Sequence, residues 1–243
     1  MGLNWKNKVT QSFDHKSNEY DQDCDIQKQV AFNLAKDLPT QNISKILEIG
    51  CGTGNLTKHL IKKYPKQSLH ITDISPAMLR QAQQKNMHEQ IQWNTLDAEN
   101  ITIAHKYDLI VANMALQWVI DIDKTIEQLK TILNPGGSLF FTLPAPQSFP
   151  QWTNTLNNLN LPVGILDFKT PEGLYKQEKI EKTYSNTMGF LRSLKAIGAA
   201  NPKENYVPLT PAQLKSACHL CDTTHHGTIT WHISYIQIKT EHN

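Results

Sequence analysis

No run of about 20 consecutive apolar residues, the length a membrane-spanning helix needs, occurs in the 243-residue sequence. The opening "MGLNWKNKVTQSFD" lacks the apolar core of an export signal, and Lys6 stands where a myristoylation motif places serine or threonine. Cysteine is sparse: Cys24, Cys51, Cys218 and Cys221 are scattered, which fits a reducing compartment. A chain of this length buries an ample core without disulfides or a structural metal. A bias of charge is missing too, since 24 basic against 22 acidic residues leave +2, and this argues against a nucleic-acid partner. These absences predict a cytoplasmic protein, expected to be monomeric, with no membrane or nucleic-acid partner. Arginine is nearly absent, Arg80 and Arg192 being the whole supply. "CHLCDTTHH" at 218–226 has zinc-like spacing within each half but lacks the long spacer between ligand pairs, so no metal is expected; Asp222 after the second cysteine excludes haem attachment.

What is present is an alternation of short apolar runs with helical patterns. Ile26, Val30 and Leu34 recur at helical spacing before Pro39. "KILEIG", "SLHITDIS", "IQWNTLDAE", "YDLIVANMAL" and "SLFFTL" read as strands. The helices between them are marked by Leu56, Leu60 and Ile61 on one face, by the Ser75 cap with Pro76 behind it, and by a pattern over 123–133 that ends in "NPGG". Strands that alternate with helices imply a parallel sheet with right-handed crossovers. "KIEKTYS" and "GTITWHISYIQIK" add two strands, so the expected fold is α/β: a doubly wound, mostly parallel seven-stranded sheet. The expected organisation is one domain over 1–243, with a helical lid at 1–40, a ligand-binding core at 41–143, a cap at 144–228 holding one core strand, and a closing strand at 229–239. Residues 144–175, rich in Pro, Gly and Asn, read as irregular. Asn186 and Thr210 are predicted to cap the two cap helices.

The chemistry points to "LEIGCGTGNLT" at 47–57. Gly50, Gly52 and Gly54 stand where the first strand turns into its helix, the crevice in which open parallel sheets hold ligands. A dinucleotide fingerprint spaces its third glycine one residue later, and here Glu48 precedes the turn. Asp73 ends the next strand, about 20 residues on, where a carboxylate meets a ribose diol.

This turn resembles motif I of the class I S-adenosyl-L-methionine-dependent methyltransferases. The resemblance implies that cofactor, with Glu48, Gly50, Cys51, Gly52, Gly54, Asp73 and Ile74 around it. Asp97 and Ala98 in "LDAE" match the position at the adenine amino group, Asn113 in "VANMALQW" lies beneath the methionine part, and Met78 and Leu116 wall the adenine. A finer resemblance, carried by 12–39, "MALQWV" and "FLRSLKAIGA", is to the BioC family of malonyl-acyl carrier protein O-methyltransferases. It implies methyl transfer to the free carboxylate of a malonyl-thioester on acyl carrier protein, with malonyl-CoA as a substitute acceptor, in biotin synthesis. One segment departs: "PAPQSFPQW" follows strand five where many members have Gly-Pro-x-Thr-Leu. Another small-molecule methyltransferase, acting on a dicarboxylate or quinone precursor, and a repurposed cofactor-binding assembly factor are the alternatives.

A carboxylate is already ionised at neutral pH, so the acceptor needs no general base. A cation to hold it is expected instead. The resemblance assigns Tyr20 to the closure over the reactive end of the cofactor. Arg192, in the family-like cap helix with Lys195 three residues on, is the expected grip on the carboxylate, since a guanidinium pairs with it bidentately.

Overall fold

The computed structural model describes residues 10–11, 13–14, 24–88, 91–196 and 206–241. In chain order the elements are α1 (Asp25–Asp37), β1 (Lys45–Ile49), α2 (Thr57–Lys63), β2 (Ser68–Asp73), α3 (Pro76–Lys85), β3 (Ile91–Thr95), β4 (Tyr107–Asn113), a 3-10 turn (Leu116–Trp118) and α4 (Ile122–Thr131). They continue with β5 (Leu133–Pro144), α5 (Pro150–Asn158), β6 (Leu174–Thr183), α6 (Thr187–Ala196), α7 (Pro211–His225) and β7 (Thr228–Lys239).

The seven strands form one sheet in the order β3-β2-β1-β4-β5-β7-β6. The first five pair in parallel, and β7 lies antiparallel between β5 and β6. Both faces are covered, which is why β4 is apolar at nearly every position: Leu109 and Val111 enter the core beneath α1, α2 and α3, while Ile110 and Ala112 enter the core beneath α4. The strand order reverses between β2-β1 and β4-β5, and the carboxyl ends of β1 and β4 therefore flank the crevice.

Helix starts follow local chemistry. Ser75 accepts from the Met78 amide with Pro76 behind it, Asp121 accepts from Lys124, and Thr210 with Gln213 forms a reciprocal capping box. Asn186 accepts from the Gly189 amide at 2.8 Å. Two expectations are corrected. Residues 150–158, read as irregular, form α5: Pro150 opens it and Trp152, Thr155 and Leu156 make its buried face. Its start escapes a sequence reading because no side chain caps it and Phe149 takes a left-handed φ of 63°. Strand β5 begins at Leu133, ahead of the Pro-Gly turn, because the turn is accommodated as an irregularity between the pairs Tyr107↔Leu133 and Leu109↔Ser138.

Candidate active site

The carboxyl ends of β1, β2 and β4 and the chain beyond β3 open into one cavity of about 490 Å³, closed on its other side by residues of the 144–228 segment and by Trp231 of β7. At the end of β1, Gly50 has φ +65°, and a Cβ there would lie 2.5 Å from the Ala115 Cβ. Gly52 has φ +55°, and a Cβ there would meet nothing within 4 Å. Bare backbone is thus offered to the cavity, with the Cys51 amide tied to the Thr72 carbonyl at 2.9 Å. Asp73 holds the turn from β2: its carboxylate accepts from the Gly52 amide and the Ser75 amide, both at 2.8 Å. With the Ile74 amide also turned to this carboxylate, acceptor capacity for a ligand hydroxyl still remains.

Burial dominates the electrostatics of this floor. It pushes the Asp73 carboxyl up to about 6 against the pull of the Ser75 and Gly52 amides, and Asp14 pushes in the same direction. Glu48, 1 % exposed and accepting from the Thr57 hydroxyl at 2.7 Å, is pushed up to about 8 by burial, with Asp73 adding repulsion. Glu48 is therefore largely protonated at neutral pH. The buried Cys51 thiol is likewise pushed well up, so the turn holds no thiolate.

Beyond β3, Asp97 accepts from the Glu99 amide at 3.0 Å, and with Ala98, Ile74 and the buried Met78 and Leu116 it lines the same cavity. Asn113, at the end of β4, donates to the Gln27 carbonyl and accepts from the Thr142 hydroxyl, both at 3.1 Å. Its amide fastens α1 to the sheet beside the cavity, a role its sequence position did not reveal.

Of the residues expected at the site, Glu48, Gly50, Cys51, Gly52, Asp73, Ile74, Met78, Asp97, Ala98, Asn113 and Leu116 line this one cavity. Gly54 is not among them: with φ +89° it lies against α3, and a Cβ there would come within 3.4 Å of the Ala82 Cα and Cβ. Arg192 stands outside the cavity wall as well: like Lys195 it is exposed, but the wall is lined by Leu191, Leu194 and Lys195 of the same helix. A step of 100° per residue puts 191, 194 and 195 on one arc and turns 192 away from it. Tyr20 lies outside the described residues. Sequence reasoning missed the aromatic wall of Phe149, Trp152, Phe168 and Trp231, in which Phe149 and Trp231 meet edge to face with centroids 4.6 Å apart. These residues come from α5, β7 and the loops around them, and no local motif joins them. Cys218 and Cys221 are free and buried in α7. Among the described residues no group of three or more His, Cys, Asp or Glu side chains is placed to hold a metal.

Residues 47–139 match a methyltransferase-domain family. A malonyl-[acyl-carrier protein] O-methyltransferase of Magnetococcus marinus is 30% identical over 227 residues, spanning 86% of this chain and 84% of that one. The chain belongs to the malonyl-[acyl-carrier protein] O-methyltransferase family. A biotin biosynthesis bifunctional protein, BioCD, of Bordetella avium is also 30% identical, over 94% of this chain and 51% of that one. The N-methyltransferase NodS of Bradyrhizobium japonicum, solved with S-adenosyl-L-homocysteine, shares the fold with a TM-score of 0.55 at 17% identity, over 96% of this chain and 98% of that one. As a member of this O-methyltransferase family the protein is an S-adenosyl-L-methionine-dependent enzyme. The residues present fit that cofactor: open backbone at Gly52, a carboxylate at Asp73 with acceptor capacity left, and the apolar Met78–Leu116 wall beside Asp97.

Proposed function

We propose that the protein methylates the free carboxylate of a malonyl-thioester carried on acyl carrier protein, in biotin synthesis. One observation carries the choice of acceptor. Among the described residues lining the cavity, the side formed by 144–231 presents one cation, Lys195, and no imidazole or carboxylate, amid Phe149, Trp152, Phe168 and Trp231. An alcohol acceptor needs a group to take its proton and a protonated amine must first lose one; an ionised carboxylate needs neither and is drawn to a cation. When bound, the cofactor would supply an electrophilic methyl on a sulfonium, whose transfer to a carboxylate oxygen would release the thioether and turn an anion and a cation into two neutral groups without a proton moving.

The chain's part is then to orient, to dry and to neutralise. The glycine turn and Asp73 fix one partner, the aromatic wall excludes water, and Lys195 holds the other partner's charge. Excluding water favours the step because opposite charges that vanish in the reaction lose little by leaving solvent. The same reading extends to malonyl-CoA as a substitute acceptor, to a monomer whose cavity is closed by one chain, and to a cytoplasmic enzyme; no helix among the described residues is long and apolar enough to cross a membrane.

Replacing Lys195 tests this reading. A charge-assisted contact is worth about 1.5–3 kcal/mol, so Lys195→Ala should raise KM for malonyl-carrier protein by roughly tenfold or more, with Lys195→Arg restoring most of the loss. Unchanged kinetics in Lys195→Ala would remove Lys195 from the acceptor site.

A further inference from the structure

Helices α1 and α2 lie side by side, and both begin at the cavity: Gln27 of α1 lines it, as do Asn55 and Leu56 immediately before α2. Their outward faces share an unusual composition. Between Lys58 and Lys66 the chain carries four lysines and no acid, in a protein whose overall charge is only +2. Lys63 is committed to structure, donating to the Ala35 and Leu38 carbonyls at 2.7 Å and so closing the C-terminal end of α1. Lys58 and Lys62 stand one helical turn apart and exposed.

Phe32 stands at the centre of this face, 49 % exposed on a helix whose other apolar residues are buried. The Lys36 ammonium sits 4.0 Å from its ring centroid, and the His59 ring packs against it at 5.6 Å. His59 is held below its ordinary value by burial first and by the charges of Lys58 and Lys62 second, so both lysines stand close to the ring that packs on Phe32. The acids of α1 point elsewhere: Asp25 and Asp37 are paired with Lys182 and Lys176 of β6. An exposed aromatic with one cation on its ring, and two more beside the histidine packed against it, suits an acidic protein surface with an apolar contact at its centre.

We propose that this α1–α2 face, with Phe32 at its centre and Lys36, Lys58 and Lys62 around it, docks the acyl carrier protein. The inference rests on the malonyl-carrier reading above and deepens it. The acceptor reaches the cavity on a phosphopantetheine arm joined to its carrier through an anionic phosphodiester, and the basic face begins where the cavity does. Steering by such a face acts on encounter and on KM rather than on the chemical step.

Two readouts separate this inference from the reading beneath it: turnover of malonyl-carrier protein and of malonyl-pantetheine, which has the arm without the protein, and direct binding of fluorescently labelled malonyl-carrier protein by anisotropy. Lys58→Glu/Lys62→Glu and, separately, Phe32→Ala should raise Kd and KM for the carrier protein, the charge reversal by roughly tenfold or more and with a flatter salt dependence. Both variants should keep wild-type rates on malonyl-pantetheine, which also shows that they are folded. Unchanged carrier binding in both variants would overturn the docking face, as would equal losses on the two acceptors. A wild type that binds the carrier through this face but methylates neither thioester would overturn the acceptor reading and leave the docking face standing.

Discussion

Glu48 is almost wholly buried, with the Thr57 hydroxyl as its one side-chain partner among the described residues, and burial makes it keep its proton to about pH 8 in the folded protein. The unfolded chain releases that proton near the ordinary value of 4.5. Below that pH both states are protonated; above it the unfolded state gains from ionisation and the folded state does not, so stability falls as pH rises toward 8. Glu48→Gln keeps an acceptor for Thr57 and removes the titration. In cofactor-free protein its melting temperature should therefore fall less between pH 5 and 8 than that of wild type, and parallel curves would contradict the assignment. Asp73 carries two duties, since it anchors the Gly52 and Ser75 amides and faces the cavity. Asp73→Ala should weaken cofactor binding by about 1–3 kcal/mol in titration calorimetry and lower the melting temperature, because those amides lose their acceptor. Unchanged affinity would take Asp73 out of the site.

At the scale of elements, the parts readable from sequence were those in which chemistry and periodicity are local. The β1 turn with its glycines, the Ser75–Pro76 helix start and the nearly continuous apolar run of β4 each stand in a few consecutive residues. The parts that escaped depend on distant contacts. Helix α5 takes its buried face from packing against α7 and β7, the aromatic wall is assembled from several segments, and Arg192 and Lys195 are separated by helical phase that spacing alone blurred. Asp97 and Met78, by contrast, follow strands and caps that the sequence marks clearly. The β1 turn is also the place where backbone and ligand demands meet. Gly50→Ala would force a side chain onto φ +65° and into Ala115. It should lower stability by about 1–3 kcal/mol in urea unfolding and loosen cofactor binding with it. An unchanged urea midpoint would mean that the turn relaxes without the glycine.

For the molecule as a whole, the switch point of a doubly wound sheet forms one side of the cavity, and residues of the segment between β5 and β7 line the other. The sheet explains cofactor binding and the family relationship; it does not choose the acceptor, because the same fold serves many acceptors. That choice rests on the wall between residues 144 and 231, with its aromatic side chains and its lysine. The most direct test is methyl transfer from labelled S-adenosyl-L-methionine, compared side by side on malonyl-carrier protein, malonyl-CoA and free malonate. The account predicts label in a base-labile ester of malonyl-carrier protein, with kcat/KM highest for that acceptor, lower for malonyl-CoA and lowest for malonate. Folded, cofactor-binding enzyme that labels neither malonyl-thioester would contradict it.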